Sequence, residues 1–235
     1  MPWALMAAQM ELISIWTWAT TEAKIIIILL IVLSITAWSV MAAKALQMRR
    51  AKKLNTFFSA EYRRQPNVLA VYDRQVPVEG CPLYSVYLEG CSALEARLRL
   101  PEGQGRKTFI SLKAMEHVKR ALESAVASQS LQLESGLITL ALAVSGAPFL
   151  GLLGTVWGVM STFSHVALKG EATLATMAPG VAAALITTVA GLLVAIPSMF
   201  GYNYLVHNLR AMTVQLDNFA QDLASRMEAE YLEEK

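Results

Sequence analysis

The sequence predicts an all-α membrane protein with three transmembrane helices, of which the long second and third helices extend into a helical cytoplasmic domain. Hydrophobic residues make up 55% of the 235 residues and charged residues only 16%, whereas soluble domains carry about 25% charged residues. No Asp, Glu, Lys or Arg occurs between Glu134 and Lys169 or between Glu171 and Arg210. Each interval is longer than the ~20 apolar residues that cross a bilayer as a helix.

The first apolar segment follows an N-terminal stretch that contains three tryptophans. Residues 1–23 lack the basic start of a signal peptide, and they are predicted to form an interfacial helix on the periplasmic side. The 19 uncharged residues Ile25–Ala43 then predict a first transmembrane helix over residues 24–44.

Basic residues at the end of this first helix indicate its orientation. Cytoplasmic flanks of membrane helices carry an excess of Lys and Arg, so the N-terminus is expected outside and the following chain in the cytoplasm. The same residues are predicted to contact anionic phospholipids, and their place beside an apolar segment argues against a nucleic-acid partner. These basic residues are Lys44, Arg49, Arg50, Lys52 and Lys53.

A helical cytoplasmic domain is predicted over residues 45–134, and the segment from Lys44 to Glu134 contains 15 Lys and Arg against 9 Asp and Glu. Apolar periodicity indicates helices over residues 45–64 and Leu83–Arg99, with an irregular connection over residues 65–82. From Thr108 the helical pattern is expected to run into the second transmembrane helix without a break. The apolar face expected on the first of these helices comprises Leu46, Leu54, Phe57, Phe58 and Tyr62.

The two long uncharged intervals predict the second and third transmembrane helices over residues 135–164 and 173–205, joined by a periplasmic loop over residues 165–172. A cytoplasmic C-terminal helix is expected over residues 206–235, because apolar residues recur there at steps of three and four. Three crossings place the C-terminus in the cytoplasm. The apolar residues of this last segment are Leu205, Leu209, Met212, Leu216, Phe219, Leu223 and Met227.

The sequence lacks catalytic and metal-binding patterns. No Ser-His-Asp set, zinc-protease motif, phosphate-binding loop or dinucleotide fingerprint occurs, so the chain is predicted not to be an enzyme. Its three histidines stand apart, which predicts neither a metal site nor a cofactor. Cys81 and Cys91 lie in the predicted cytoplasmic domain, where a structural disulfide is not expected.

Small and hydroxylated residues form one face on each of the last two transmembrane helices. Such residues let helix backbones approach closely, and Thr can hydrogen-bond across helices or hold water. The pattern fits either plain helix packing or a polar pore, and Thr155 and Thr188 near mid-span favour the pore. The residues assigned to packing or to helix kinks are Pro148, Gly151, Gly154, Gly158, Pro179, Gly180, Ala184, Gly191 and Pro197.

Ionisable side chains are missing from the interiors of the three predicted spans. A proton path through a membrane usually contains one. His165 and His207 lie near the ends of the spans, where interfacial positions are expected. If the chain takes part in proton transport, another subunit must therefore supply the titrating carboxylate.

Two segments resemble the TolQ/ExbB/MotA proton-channel family, and its TolQ/ExbB branch in particular. They are LGLLGTVWGVM at Leu150–Met160 and APGVAAALITTVAGLLVAIPSMFGYN at Ala178–Asn203. The resemblance implies a homopentamer in the bacterial inner membrane around a pore. It also implies a smaller ExbD/TolR-type partner with one membrane helix, whose Asp carries the proton, and a TonB- or TolA-type protein that receives the resulting movement.

In that family the pore-lining hydroxyls correspond to Thr155 and Thr188 of this chain. Thr187 adds a neighbouring hydroxyl about 100° away around the helix, so at most one of the two adjacent threonines points squarely at the pore. TolQ and ExbB commonly carry Glu where this chain has Ala183. A gating or proton-transfer role of that Glu therefore cannot be transferred, and the departure favours a more distant branch with its own partner.

The predicted function is that of a pore-forming stator subunit in a proton-driven motor, which powers TonB-type transport or Tol-type constriction. The alternative is a structural membrane scaffold without conduction, which binds lipid and a cytoplasmic partner through its basic domain. A genomic neighbour that encodes a single membrane helix bearing an Asp would favour the motor.

Overall fold

The computed structural model describes residues 20–74, 78–99, 107–170 and 173–232. Within these ranges the chain forms helices and no β-strand, apart from isolated bridging residues. The predicted interfacial helix over residues 1–23 lies almost entirely outside them. The helices are α1 (Thr21–Arg64), α2 (Ala70–Asp73), α3 (Pro82–Leu98), α4 (Leu112–Glu134), α5 (Leu137–Lys169) and α6 (Leu174–Tyr231).

Three of these helices, α1, α5 and α6, are long and apolar enough to cross a membrane. This confirms the predicted all-α membrane class. Helix α1 has 44 residues and α6 has 58 residues, which correspond to lengths of ~66 Å and ~87 Å at 1.5 Å per residue. Both exceed the ~30 Å hydrocarbon core, so each helix has a part beyond the bilayer, as the apolar stripe after Tyr204 predicts.

The expectation of an unbroken helix into the second span is wrong. Helix α4 ends at Glu134, and α5 begins at Leu137 after a turn in which Gly136 has a φ of 83°. A glycine adopts this left-handed conformation at little cost, and it therefore ends helices. A second left-handed glycine, Gly170 with a φ of 71°, caps the C-terminus of α5, so most of the predicted periplasmic loop is helical.

The chain divides into two compact units. The membrane unit comprises Met1–Ala42 and Gly136–Tyr204, and the extramembrane unit comprises Ala43–Ser135 and Leu205–Lys235. In the membrane unit, Ile26 and Leu30 of α1 pack with Ala147 of α5 and with Val194 and Ala195 of α6.

Aromatic side chains from three helices form the centre of the extramembrane unit. The Phe219 ring lies 5.4 Å from the Tyr62 ring and 6.0 Å from the Phe58 ring between centroids, and Tyr62 lies 5.6 Å from Tyr87. Such edge-to-face contacts stabilise a core beyond the area that they bury. All seven apolar residues predicted on the C-terminal stripe are buried here, which confirms that prediction.

The apolar face predicted for residues 45–64 is only partly confirmed. Phe58 and Tyr62 are buried, but Leu46 and Phe57 are 66% and 72% exposed. The buried face of α1 passes through Met48, Ala51 and Asn55 instead. The buried Asn55 oxygen is satisfied, since Oδ1 accepts hydrogen bonds from the Leu83 amide at 3.2 Å and from the Cys81 thiol at 3.4 Å.

Hydrogen bonds hold the part of the connection between α1 and α3 around the short helix α2, in a segment that was expected to be irregular. The Tyr87 hydroxyl donates to the Val68 carbonyl at 2.6 Å and accepts from the Tyr72 amide at 2.9 Å. The Val68 amide in turn donates to a Glu230 carboxylate oxygen of α6 at 2.9 Å. These bonds satisfy backbone groups that would otherwise be buried without partners.

The two cysteines of the extramembrane unit are free and buried. Burial raises the pKa of the Cys91 thiol to about 12 and also raises the pKa of Cys81. Because the thiolate is the reactive form, the raised pKa values slow the reactions of both thiols with alkylating or oxidising reagents. Burial also keeps such reagents away from the sulfur atoms. The protonated Cys91 stabilises the fold fully below the unfolded pKa, about 8.5, and this contribution is lost as pH rises toward 12.

We therefore expect alkylation of Cys91 at pH 8 to be at least about a hundredfold slower in the folded chain than in denaturant. A thiol whose pKa is raised to about 12 has a far smaller thiolate fraction at pH 8 than the same thiol in the unfolded chain. Mass spectrometry after timed iodoacetamide treatment measures this rate. The denatured chain serves as the control. Equal rates in the folded and denatured chains would contradict the buried placement of Cys91.

Candidate functional site

Three threonines meet where α5 contacts α6 within the membrane unit. Thr155 belongs to α5, and Thr187 and Thr188 belong to α6. The Thr155 hydroxyl oxygen lies 3.4 Å from that of Thr187 and is hydrogen-bonded to that of Thr188. We call these three residues the threonine cluster.

Two backbone carbonyls bind the hydroxyls of the threonine cluster. The Gly151 carbonyl lies within 3.2 Å of all three hydroxyl oxygens, and the Ala184 carbonyl accepts from Thr187 at 2.7 Å and from Thr155 at 3.3 Å. A carbonyl has only two lone pairs. The three hydroxyls therefore cannot all donate to Gly151 at once, and each has an alternative acceptor within reach.

The members of the cluster differ in exposure. Thr187 is 0% exposed and is enclosed between the two helices, whereas Thr155 and Thr188 are half-buried. The accessible side of the cluster is thus formed by the Thr155–Thr188 pair. The sequence left open which of the two adjacent threonines is enclosed between the helices and which is accessible. One signal for Thr187 was present, since it lies three residues after Ala184 and four before Gly191 and so shares their helix face.

Glycines bring the backbones of α5 and α6 into direct contact around the cluster. A Cβ atom added to Gly151 would lie 2.8 Å from the Thr187 carbonyl oxygen, and one added to Gly191 would lie 2.5 Å from the Ala147 carbonyl oxygen. One added to Gly158 would lie 2.7 Å from the Ala184 Cβ. Real Cβ atoms do not approach this closely, so any larger residue would separate the helices.

Two further glycines leave space that threonine side chains of the other helix fill by packing against them. Gly154 lies against Thr187, whose hydroxyl oxygen would be 2.5 Å from a Cβ added at Gly154. Gly180 faces Thr162, whose hydroxyl donates to the Gly158 carbonyl at 2.8 Å. The predicted small-residue faces are thus the surfaces through which α5 and α6 pack.

The prolines do not end the membrane helices. Pro148 lies inside α5, and Pro179 and Pro197 lie inside α6. Proline cannot donate the backbone hydrogen bond of a helix interior, yet both helices continue through these positions. Next to Pro197, the Ser198 hydroxyl donates to the Val194 carbonyl at 2.7 Å and is itself buried.

Helix α1 packs beside the cluster through small residues. Ala183 is 3% exposed and clusters with Ala23 of α1. Ala183 occupies the place at which the resemblance leads one to expect a carboxylate. The position is closed by apolar packing and holds no charged group.

The basic flank has two different environments. Lys44 is half-buried, and its ammonium donates to the Leu133 carbonyl at 3.2 Å and to the Ser135 hydroxyl at 3.4 Å. Lys44 thereby satisfies an orphan carbonyl at the end of α4. The other four basic residues of the flank are exposed. Within the described residues, no three His, Cys, Asp or Glu side chains converge in a way that could hold a metal ion.

Comparison with known proteins identifies relatives. The model of the MotA/TolQ/ExbB proton channel family matches residues 93–218. The "Tol-Pal system protein TolQ" of Pseudomonas aeruginosa is 34% identical over 188 residues, which cover 79% of this chain and 78% of the relative. The "Biopolymer transport protein ExbB" of Xanthomonas campestris is 32% identical, covering 85% and 79%, and that of Neisseria meningitidis is 28% identical, covering 86% and 90%.

We predict that Gly154→Ala destabilises the chain and Gly146→Ala does not. Gly154 faces Thr187, whereas Gly146 has no atom within 4 Å of an added Cβ. Overpacking costs about 1–3 kcal/mol, so thermal unfolding in detergent, followed by circular dichroism, should begin at a lower temperature for Gly154→Ala alone. Equal unfolding temperatures for the two variants would contradict the close contact.

Proposed function

The chain belongs to the MotA/TolQ/ExbB proton channel family, and we propose that it is the pore-forming stator subunit of a proton-driven motor in the bacterial inner membrane. With an ExbD/TolR-type partner, this motor would couple the proton motive force to work across the envelope. The chain itself would perform no covalent chemistry.

The single observation that supports this proposal is the half-buried Thr155–Thr188 pair within the membrane unit. Hydroxyls both donate and accept hydrogen bonds, so the pair can order water or solvate a carboxylate. Neither hydroxyl titrates near neutral pH. The group that takes up and releases the proton would be the membrane Asp of the single-span partner.

The position of the pair on one side of the α5–α6 contact fits an assembly of several copies. Copies arranged around a common axis would surround a lumen with hydroxyls, and the exposed apolar side chains of α5 and α6 would face lipid and neighbouring copies. We propose a homopentamer with the N-terminus in the periplasm and the C-terminus in the cytoplasm. The exposed basic residues Arg49, Arg50, Lys52 and Lys53 would then contact phospholipid headgroups.

Thr187 has a different role in this proposal. Its buried hydroxyl bonds to the Gly151 and Ala184 carbonyls at 3.0 and 2.7 Å, and this contact sets the distance between the two helices. Thr187 is thus a positioning residue for the Thr155–Thr188 pair and does not face the lumen.

The relatives named TolQ and ExbB suggest two kinds of work. The motor would drive Tol-type envelope constriction or TonB-type transport, through a protein of the TolA or TonB type that spans the periplasm. Similarity of 34% to a TolQ and 32% to an ExbB does not favour either one.

The test replaces the two accessible hydroxyls and measures proton flux. Thr155→Val and Thr188→Val keep the side-chain shape but remove the hydrogen-bonding group. A lost hydrogen bond of about 1–1.5 kcal/mol corresponds to about a tenfold lower rate, so flux into proteoliposomes that contain the chain and its partner should fall about that much. Thr155→Ser and Thr188→Ser are the matched controls, which should retain most of the flux.

Two results would count against the proposal. Full flux in both valine variants would exclude a role of the hydroxyls in conduction. Oligomers of the wild-type chain that bind the partner but conduct no more than empty liposomes would support the structural scaffold.

A further inference from the structure

Two grooves flank α6 within the extramembrane unit. The first, the α1-side groove, has a volume of about 860 Å³ and lies between α1 and α6, with Arg63, Asp222 and Arg226 among its lining residues. The second, the α4-side groove, has a volume of about 360 Å³ and lies between α4 and α6. Glu123 and Asp217 are among the residues that line the α4-side groove.

The α1-side groove carries a positive charge. Arg63 is exposed and has no ion-pair partner among the described residues. Arg226 lies over the Tyr62 ring at 4.6 Å and donates to the Gln65 carbonyl at 3.2 Å. The two arginines against Asp222 leave a formal excess of +1 among the lining residues.

The same groove contains polar groups without partners. The Asn55 amide nitrogen and the Tyr62 hydroxyl are buried and have no hydrogen-bond partner among the residues described. Both side chains line the α1-side groove. Such groups are costly in a finished structure, and each of them can donate a hydrogen bond. Together with the two arginines, these groups make the groove rich in hydrogen-bond donors, against the single carboxylate of Asp222.

The α4-side groove has the opposite character. Lys119 and Glu228 form an ion pair across it at 2.7 Å, so their charges cancel. Glu123 and Asp217 remain, both exposed and both without an ion-pair partner in the described part of the chain. Among the lining residues this leaves a formal charge of −2 from carboxylates, which can only accept hydrogen bonds.

One exposed stripe of α6, which includes residues that line each of the two grooves, is suited to contact with other helices. Its exposed residues recur at alternating steps of four and three, as in a helix that packs against a neighbour. They are short or uncharged, with one carboxylate, and lack the long Lys, Arg and Glu side chains common on solvated helices. These residues are Ala211, Gln215, Asn218, Asp222, Ser225 and Ala229.

We infer that two copies of this chain make contact through these surfaces: the α1-side groove of one copy binds the surface around the α4-side groove of the next. Arg63 of the first copy then faces Glu123 and Asp217 of the second. The inference rests on the homo-oligomer of the proposed function and specifies its contact. Because two different surfaces meet, the contact is head-to-tail, and repeating it can close a ring. An anionic membrane surface is a poorer occupant, since the adjoining α4-side groove would repel it.

Paired cysteines test the predicted proximity. In a chain with Arg63→Cys and Asp217→Cys, oxidation should link successive copies and give a ladder on a denaturing gel that ends at the ring size. Cys81 and Cys91 are 1% and 0% exposed, so the wild-type chain should give little background. The control combines Arg63→Cys with Glu89→Cys, which places the second thiol on an exposed position of α3. A ladder equally strong in the control would overturn the inference.

Charge exchange gives an independent test. Like charges placed together at an interface cost several kcal/mol, so Arg63→Glu or Asp217→Arg alone should raise the concentration needed for assembly at least about tenfold. The double variant restores opposite charges and should recover most of the assembly. Native mass spectrometry of the full chain in detergent counts the copies.

The outcomes separate the two proposals. If both single variants form the same oligomers as the wild-type chain at the same concentration, the inferred contact is wrong while the stator function stands. If the wild-type chain is monomeric in detergent and in lipid nanodiscs, the homo-oligomer of the proposed function fails together with this contact. If oligomers are lost in both single variants and recovered in the double variant, the result supports the contact.

Discussion

The backbone contact between α5 and α6 determines the rest of the membrane unit. Glycines at Gly151 and Gly191 leave no side chain between the helices, so a carbonyl of one helix lies within reach of hydroxyls on the other. In a bilayer, apolar burial does not hold helices together, and close packing and hydrogen bonds take its place. The contact therefore positions the threonine cluster and stabilises the helix pair at once.

Periodicity in the sequence predicted the long helical segments and the buried stripe from Leu205 to Met227, because repeats of three and four residues report directly on packing. It did not predict the short helix α2, which lies in the expected irregular connection. It failed where one residue's backbone conformation decides the outcome. The apolar pattern continues across Gly136, but its φ of 83° ends the helix there. Phe57 was misplaced because one step around α1 moves a side chain from the core to the surface, and Phe58 takes the buried position.

The site shows the same limit of sequence reasoning. Spacing alone identified a hydroxyl-bearing face on each helix but could not distinguish Thr187 from Thr188, which are adjacent and chemically identical. Only the rotation of α6 against α5 buries one and leaves the other half-buried. That rotation depends on which residues of both helices are small enough to lie at the contact. It is therefore decided by the fit between the two helices and cannot be read from either segment by itself.

In the proposed motor, the neutrality of the threonine cluster would determine how the work is divided between this chain and its partner. Three hydroxyls share two carbonyls, so hydrogen bonds can exchange without moving the helices, yet none of these groups stores a proton. The buried Ala183 removes the one place where a carboxylate would be expected beside them. A membrane site of this kind can guide and solvate a charge but cannot carry it, because hydroxyls stay neutral near pH 7. The energy of a proton gradient would therefore enter through a titrating group on a second protein, while this chain supplies a fixed polar surface against which that group moves.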